Sequence, residues 1–203
     1  MILYSPVRVE DGAFLNVGNL FGARPQDYIQ FGLKGHNGLD FVAKNGTPIY
    51  AAHDGDLIFA NDLNPNGTYR GFGKYARIEN ADGWTYYAHQ LRFEGVSRKV
   101  KALEKIGYVD STGYSTGPHL HFGFRPRIHD LNNGFGGCVD PLPFLDEEIP
   151  MTKYFKVNDH GKLGIMILEG FTGTIIFEND FGDYQKLLQI TGIDDQTPTI
   201  SLP

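Results

Sequence analysis

The hydrophobic pattern is one of short runs with period two, broken every few residues by glycine, proline, asparagine or aspartate. That pattern predicts strands rather than helices. Phe41-Val42 and Ile49-Tyr50-Ala51 read as strands, and Ala51 to Ala60 as another, interrupted at Asp54-Gly55. Residues 61–73 read as a long polar loop. Tyr75 to Asn80 alternates, Asp82-Gly83 turns, and Trp84 to His89 returns, which predicts a hairpin. Ile106 to Val109 is a further strand, and Leu120, Phe122 and Phe124 mark one more after the Ser111–Gly117 loop. Residues 1–30 look loop-rich and extended, with a short helical turn at Pro25–Tyr28. The fold class predicted is all-β.

At Glu147 the composition shifts. Glu147-Glu148-Ile149-Pro150 reads as a linker, Leu163–Leu168 and Thr174–Phe177 as two strands, and Asp183–Ile190 as a helix with an apolar face. The organisation expected is a main domain over 1–147 and a small ββα appendage over 148–203. Such an appendage is too small for much stability alone and is expected to complete the core or to dock on an assembly partner.

Composition narrows the function. The chain has 203 residues, 26 glycines and a formal net charge of −6. A negative chain lacks the cationic surface that phosphate neutralisation needs, which argues against nucleic acid as a partner. One cysteine, Cys138, rules out an internal disulfide framework. No apolar run approaches a membrane span, and the start shows no signal-peptide pattern, so synthesis in the cytosol is expected.

The candidate chemistry lies in histidines. His119 and His121 are two apart in a predicted strand, so they share a face at roughly 7 Å, suited to one metal ligand and one working neighbour. His36 and Asp40 are four apart between glycines; in a straight strand they would be roughly 13 Å apart, so a bend at Gly38 is needed to bring both to one ion. Each motif alone also reads as an ordinary polar turn or strand face. Together, His36, Asp40 and one of His119 or His121 make a three-ligand N/N/O set that leaves a position open, the pattern of catalytic zinc. His89, at the end of the hairpin, and the remaining strand histidine are left for proton transfer or for holding an oxyanion.

Gly35-His36-Asn37-Gly38-Leu39-Asp40, Gly46-Thr47-Pro48-Ile49-Tyr50-Ala51-Ala52, Tyr87-Ala88-His89, Ile106-Gly107-Tyr108-Val109 and Ser111-Thr112-Gly113-Tyr114-Ser115-Thr116-Gly117-Pro118-His119-Leu120-His121-Phe122 occur in that order. In this the chain resembles the lysostaphin-type (LytM-like) zinc metallopeptidases, which cleave peptide cross-links of bacterial peptidoglycan. The resemblance implies an antiparallel β-sheet groove, a duplicated hybrid motif of barrel-sandwich type. It implies zinc (Zn2+) held by His36, Asp40 and His121. It gives His119 the role of activating or orienting water, and His89 that of helping to hold the oxyanion. The partners implied are bacterial peptidoglycan peptides, with action at the bacterial cell wall after release, unconventional export or carriage in a virion. The rival reading is a non-catalytic peptide-binding or structural component of a phage tail or envelope assembly. The loop at 61–73 and Gln90 depart from many relatives and are expected to reshape the groove. His53, His129 and His160 match no family position and are expected at the surface or as caps. Trp84, Tyr86 and Tyr87 are expected to pack the core or hairpin.

Overall fold

The computed structural model describes residues 1–16, 19–146, 153–159, 162–169, 172–177 and 199–201. The chain divides into two units, Met1–Ile149 and Pro150–Pro203. In the first, strands β1 (Phe14–Leu15), β2 (Leu39–Val42), β4 (Gly55–Leu63), β5 (Tyr69–Glu79), β6 (Gly83–Ala88), β8 (Arg98–Val100) and β10 (His119–Pro126) form a seven-stranded sheet in the order β1-β2-β10-β6-β5-β4-β8. A three-stranded sheet joins β3 (Pro48–Tyr50), β9 (Lys105–Val109) and β7 (Gln90–Phe93) in the order β3-β9-β7. Every pairing in both sheets is antiparallel. The short helical turn expected at Pro25–Tyr28 is present as α1.

Strand alternation sorts the large sheet into two faces. Leu39, Phe41, Leu57, Ala76, Ile78, Tyr87, Leu120, Phe122 and Phe124 share one face, each at most 2% exposed, and form the core. Burying a side chain such as Phe122 contributes about 1.5–3 kcal/mol. The Tyr87 hydroxyl on this face accepts from the Ala52 amide just beyond β3 at 2.8 Å, tying the two sheets together. The opposite face carries Asp40, His119 and His121, with register pairs His121↔Asp40 and His121↔Ala88.

Three expectations are corrected here. The loop foreseen over 61–73 is mostly strand: Asn61 pairs with Lys74 and Leu63 with Tyr69, and the turn is only Asn64–Thr68, closed by Thr68 O accepting from Asn64 N at 2.8 Å. Cross-strand hydrogen bonds override the local asparagine and glycine signals. Strand β11 (Lys153–Asp159) was missed, because Tyr154-Phe155 breaks the alternation. In the second unit it pairs with β12 (Lys162–Glu169), and β12 with β13 (Thr172–Phe177); β14 (Thr199–Ser201) runs parallel to β11. The helix expected at 183–190 and His160 lie outside the described residues.

The third correction is His53, which is buried rather than at the surface. It donates from Nδ1 to the Asp54 carbonyl at 2.8 Å, and its Nε2 lies 2.9 Å from the Thr85 hydroxyl. Thr85 in turn lies 2.9 Å from the Tyr87 hydroxyl. Burial holds the His53 pKa below its ordinary value. As pH falls through the ordinary histidine range the unfolded chain takes the proton first, so this contribution is present above that range and lost below it. The melting temperature of His53→Gln should therefore fall less than that of the wild type on going from about pH 7.5 to about pH 5. Equal falls would show that His53 does not titrate against folding.

Candidate metal centre and active site

His36 precedes β2, in a loop pinned by two backbone bonds: Gly22 N donates to His36 O at 2.8 Å and His36 N to Ala23 O at 2.9 Å. The bend required by the sequence is present at Gly38. A Cβ at Gly38 would lie 2.5 Å from Phe122 O and 2.7 Å from His121 Cε1, so only glycine lets β2 press this closely on β10. The strand then starts at Leu39 and sets Asp40 directly beside His121.

The three residues meet at one point. His36 Nε2 lies 2.8 Å from His121 Nδ1, and both lie 3.1 Å from Asp40 Oδ1. All three are buried. Two of the atoms facing away from this point are held by neighbours, while His121 Nε2 is buried with no hydrogen-bond partner among the described residues. His36 Nδ1 donates to Leu20 O at 3.3 Å, which leaves its Nε2 as a lone pair. Asn19 donates from Nδ2 to Asp40 Oδ2 at 2.5 Å, which leaves Oδ1 to face inward. Two imidazole nitrogens and one carboxylate oxygen, with outer partners fixing ring and carboxylate, fit zinc with a position to spare. Burial alone would raise the Asp40 pKa, but His36 and His121 outweigh it and hold the carboxyl well below its usual range.

His119 and His89 stand beside this cluster, their rings 4.7 Å apart. His119 donates from Nδ1 to Gly117 O at 2.8 Å, and its Nε2 is 3.7 Å from Asp40 Oδ2. His89 donates from Nδ1 to Thr112 O at 2.7 Å. In both rings the free lone pair is therefore on Nε2. Burial, with His119 and His121 next to it, lowers the His89 pKa to about 3, so the ring is neutral at pH 7. The backbone of His89 is left-handed, φ 62°, held by His89 N to Phe72 O and Asp110 N to His89 O, both 3.0 Å. That conformation ends β6 and turns the side chain out of strand alternation toward the cluster.

All five predicted residues are thus brought together; Asp40, His89, His119 and His121 line a groove of about 420 Å³ walled by Tyr28, Phe31, Phe72 and Tyr114, while His36 is fully buried. Phe31 and Tyr114 meet edge to face at 4.9 Å, and Gln30 donates to the Tyr114 hydroxyl at 2.9 Å, bridging two loops. Gln90 does not reach the groove. It is fully buried, donates to Tyr87 O at 2.9 Å and packs on Gly107. His129 is partly exposed, edge-on to Trp84 at 5.6 Å. Tyr86 and Tyr87 are buried and Trp84 lies in the hairpin strand β6, as expected; register places Trp84 and Tyr86 on the face of the sheet that carries His121. Asn19 was missed. Nothing in an entry loop marks an asparagine as the partner of a carboxylate 21 positions later.

Comparison with known proteins adds to this geometry. Residues 34–133 match the model of peptidase family M23. The chain is 40% identical over 98 residues to the DD-carboxypeptidase/endopeptidase Mpg of Neisseria meningitidis serogroup B, a match covering 48% of this chain and 21% of that one. It is 38% identical over 113 residues to lysostaphin of Staphylococcus simulans, covering 54% and 21%. The chain thus spans about a fifth of the length of these relatives. Among solved structures, lysostaphin from S. simulans superposes with a TM-score of 0.52 at 25% identity, covering 79% of this chain and 65% of that one. Csd3 of Helicobacter pylori superposes with a TM-score of 0.50 at 28% identity, covering 72% and 33%.

Proposed function

With residues 34–133 belonging to peptidase family M23, we propose that this chain is a zinc-dependent endopeptidase that hydrolyses peptide cross-links or stem peptides of bacterial peptidoglycan, acting at the cell wall. The observation that carries the reading is the convergence of His36 Nε2, Asp40 Oδ1 and His121 Nδ1 beside a groove that is also lined by the imidazoles of His89 and His119. Held by those three atoms, zinc would supply a Lewis acid that polarises a carbonyl and acidifies water near neutral pH.

The chain's own residues supply the proton handling. Carbonyls of Gly117 and Thr112 fix the Nδ1 protons, so Nε2 of His119 and of His89 are acceptors in the resting site. Either ring can orient water and take its proton. The ring that takes it becomes a donor, and can then hold the oxyanion or protonate the leaving amine. On this argument His89 serves the oxyanion only after it has gained a proton, which its depressed pKa makes brief. Asn19 keeps Asp40 turned to the ligand position through Oδ1 alone. We assign residues 1–147 to the catalytic domain and 148–203 to a docking or core-completing role.

The test is release of peptides from purified cell walls, read by mass spectrometry, with zinc measured on the same protein. Release should stop after treatment with a zinc chelator and return when zinc is restored. A zinc-loaded protein that releases nothing from walls of several cross-link chemistries would move the assignment to a binding module.

A further inference from the structure

A closed circuit of contacts runs around the groove. From the metal cluster it climbs one wall: the Tyr28 ring stands 5.3 Å from the His36 ring, and Phe31 stands 6.5 Å from Tyr28. On the other side of the cluster the Phe72 ring stands 5.4 Å from that of His121, and Phe72 follows Gly71 on β5. Tyr114 joins the two walls. Its amide donates to Gly71 O at 2.8 Å, while its ring meets Phe31 at 4.9 Å and its hydroxyl accepts from Gln30 Nε2 at 2.9 Å. The rings of His36 and His121, 4.8 Å apart, close the circuit below. Apart from His36 and Gln30, these residues all border the same cavity. His36 and His121 are at most 5% exposed, whereas Phe31 is 42% and Tyr114 51% exposed. The cluster is therefore the floor of a hoop, and Tyr114 with Phe31 is its outer side.

The backbone of the Tyr114 loop is fixed. Thr112 O and Gly117 O hold Nδ1 of His89 and of His119. The Thr112 hydroxyl accepts from Lys74 N and donates to Gln90 O, both at 3.0 Å, and Gly113 packs on Gly73 with no room for a Cβ. The Tyr114 side chain is held only by the Gln30 hydrogen bond and the Phe31 contact, both at the surface. Gln30 Nε2 also donates to Asp27 O at 3.0 Å, which aims its second N–H at Tyr114. One hydrogen bond and one aromatic pair favour the closed hoop over an open one by roughly 10-fold. Rotation of this one side chain opens the hoop and leaves both imidazoles in place.

We propose that Tyr114 sorts substrates by their topology. The closed hoop admits a peptide that is threaded by a free end. A peptide joined to polymer at both ends has no end to thread and enters sideways, after Tyr114 has swung off Phe31 and Gln30. The proposal rests on the endopeptidase reading and adds a rule of entry: cleavage of an intact cross-linked wall waits on this latch, and cleavage of freed peptides does not.

The test ties the latch. Gln30→Cys and Tyr114→Cys, both at exposed positions, are joined by a bis-maleimide with an internal disulfide that reductant cuts; the native Cys138 is buried. The probes are purified cell walls and the cross-linked peptides freed from the same walls by an amidase, which keep the same bonds but have free ends. The tied protein should hydrolyse freed peptides as fast as the reduced protein does, and walls at least about 10-fold more slowly. Should the paired cysteines not fold, Gln30→Ala serves alone, since Gln30 is not among the residues lining the groove. It should raise kcat/KM on walls about 3- to 10-fold through KM, with kcat and the rate on freed peptides unchanged. Equal wall hydrolysis by tied and reduced protein, or a freed-peptide rate that falls on tying, overturns the latch. Retention of both forms on sedimented walls is measured in parallel and needs no turnover. Weaker retention of the tied form with no peptide released by either form sinks the peptidase and leaves the latch. Peptide release indifferent to the tie does the reverse, and equal retention with no release sinks both.

Discussion

His121→Ala is expected to empty the metal centre and to lower peptide hydrolysis by at least about 10⁴-fold, the scale of several kcal/mol of lost transition-state stabilisation. The argument is geometric. His121 Nδ1 is 2.8 Å from His36 Nε2 and 3.1 Å from Asp40 Oδ1, so its removal leaves two ligands and a buried carboxylate facing a gap. Two protein ligands fall short of the three that catalytic zinc sites use. Zinc per chain, measured by mass spectrometry of the metal, should drop from about one to near zero, and the fold should survive because Phe122 and Leu120 on the other face are untouched. A variant that still carries one zinc would show that the ligand set is drawn wrongly, with His119 then the first alternative.

His119→Ala and His89→Ala should behave differently: each keeps its zinc and loses rate. A positioned general base contributes about 10²–10⁴-fold, and both rings present an acceptor Nε2 to the same space, 4.7 Å apart. The loss should lie in kcat, with KM little changed, because neither ring is needed to seat the peptide. The double variant should cost much less than the product of the two single losses, since the residues share one proton between them. Strict additivity would mean that the two histidines act on separate steps. Loss of zinc in either variant would recast that residue as a ligand or as its support.

The fold was legible where period two and turn residues agreed. The hairpin from Tyr75 to Ala88 and strands β9 and β10 were readable because Asp82-Gly83 and Gly117-Pro118 punctuate clean alternation. Residues 61–73 were misread because asparagine and glycine there carry turn propensity, while the strand is held by backbone bonds that no local pattern records. The candidate ligands His36, Asp40 and His121 were named from the order of motifs shared with the lysostaphin-type family, since each motif alone also reads as an ordinary polar turn or strand face. The bend at Gly38 could be demanded from distance alone. Their supports could not. Asn19, the carbonyl of Thr112 and the buried His53 act through contacts between segments far apart in the chain. The single-residue signals there, an asparagine in a loop or a histidine before a strand, are the commonest kind.

Strand β10 lies between β2 and β6, although it is the last of the three to be made. The ligands it joins are therefore 85 and 81 residues apart in sequence. During synthesis the ribosome delivers His36 and Asp40 first, then both strands of the hairpin, and none of these can close around an ion until His121 has left the exit tunnel and its strand has slotted in. A nascent chain without β10 thus lacks the completed three-residue cluster, which forms in one late step. Topology here acts as a timer, keeping the His36–Asp40–His121 cluster unassembled until translation has passed it.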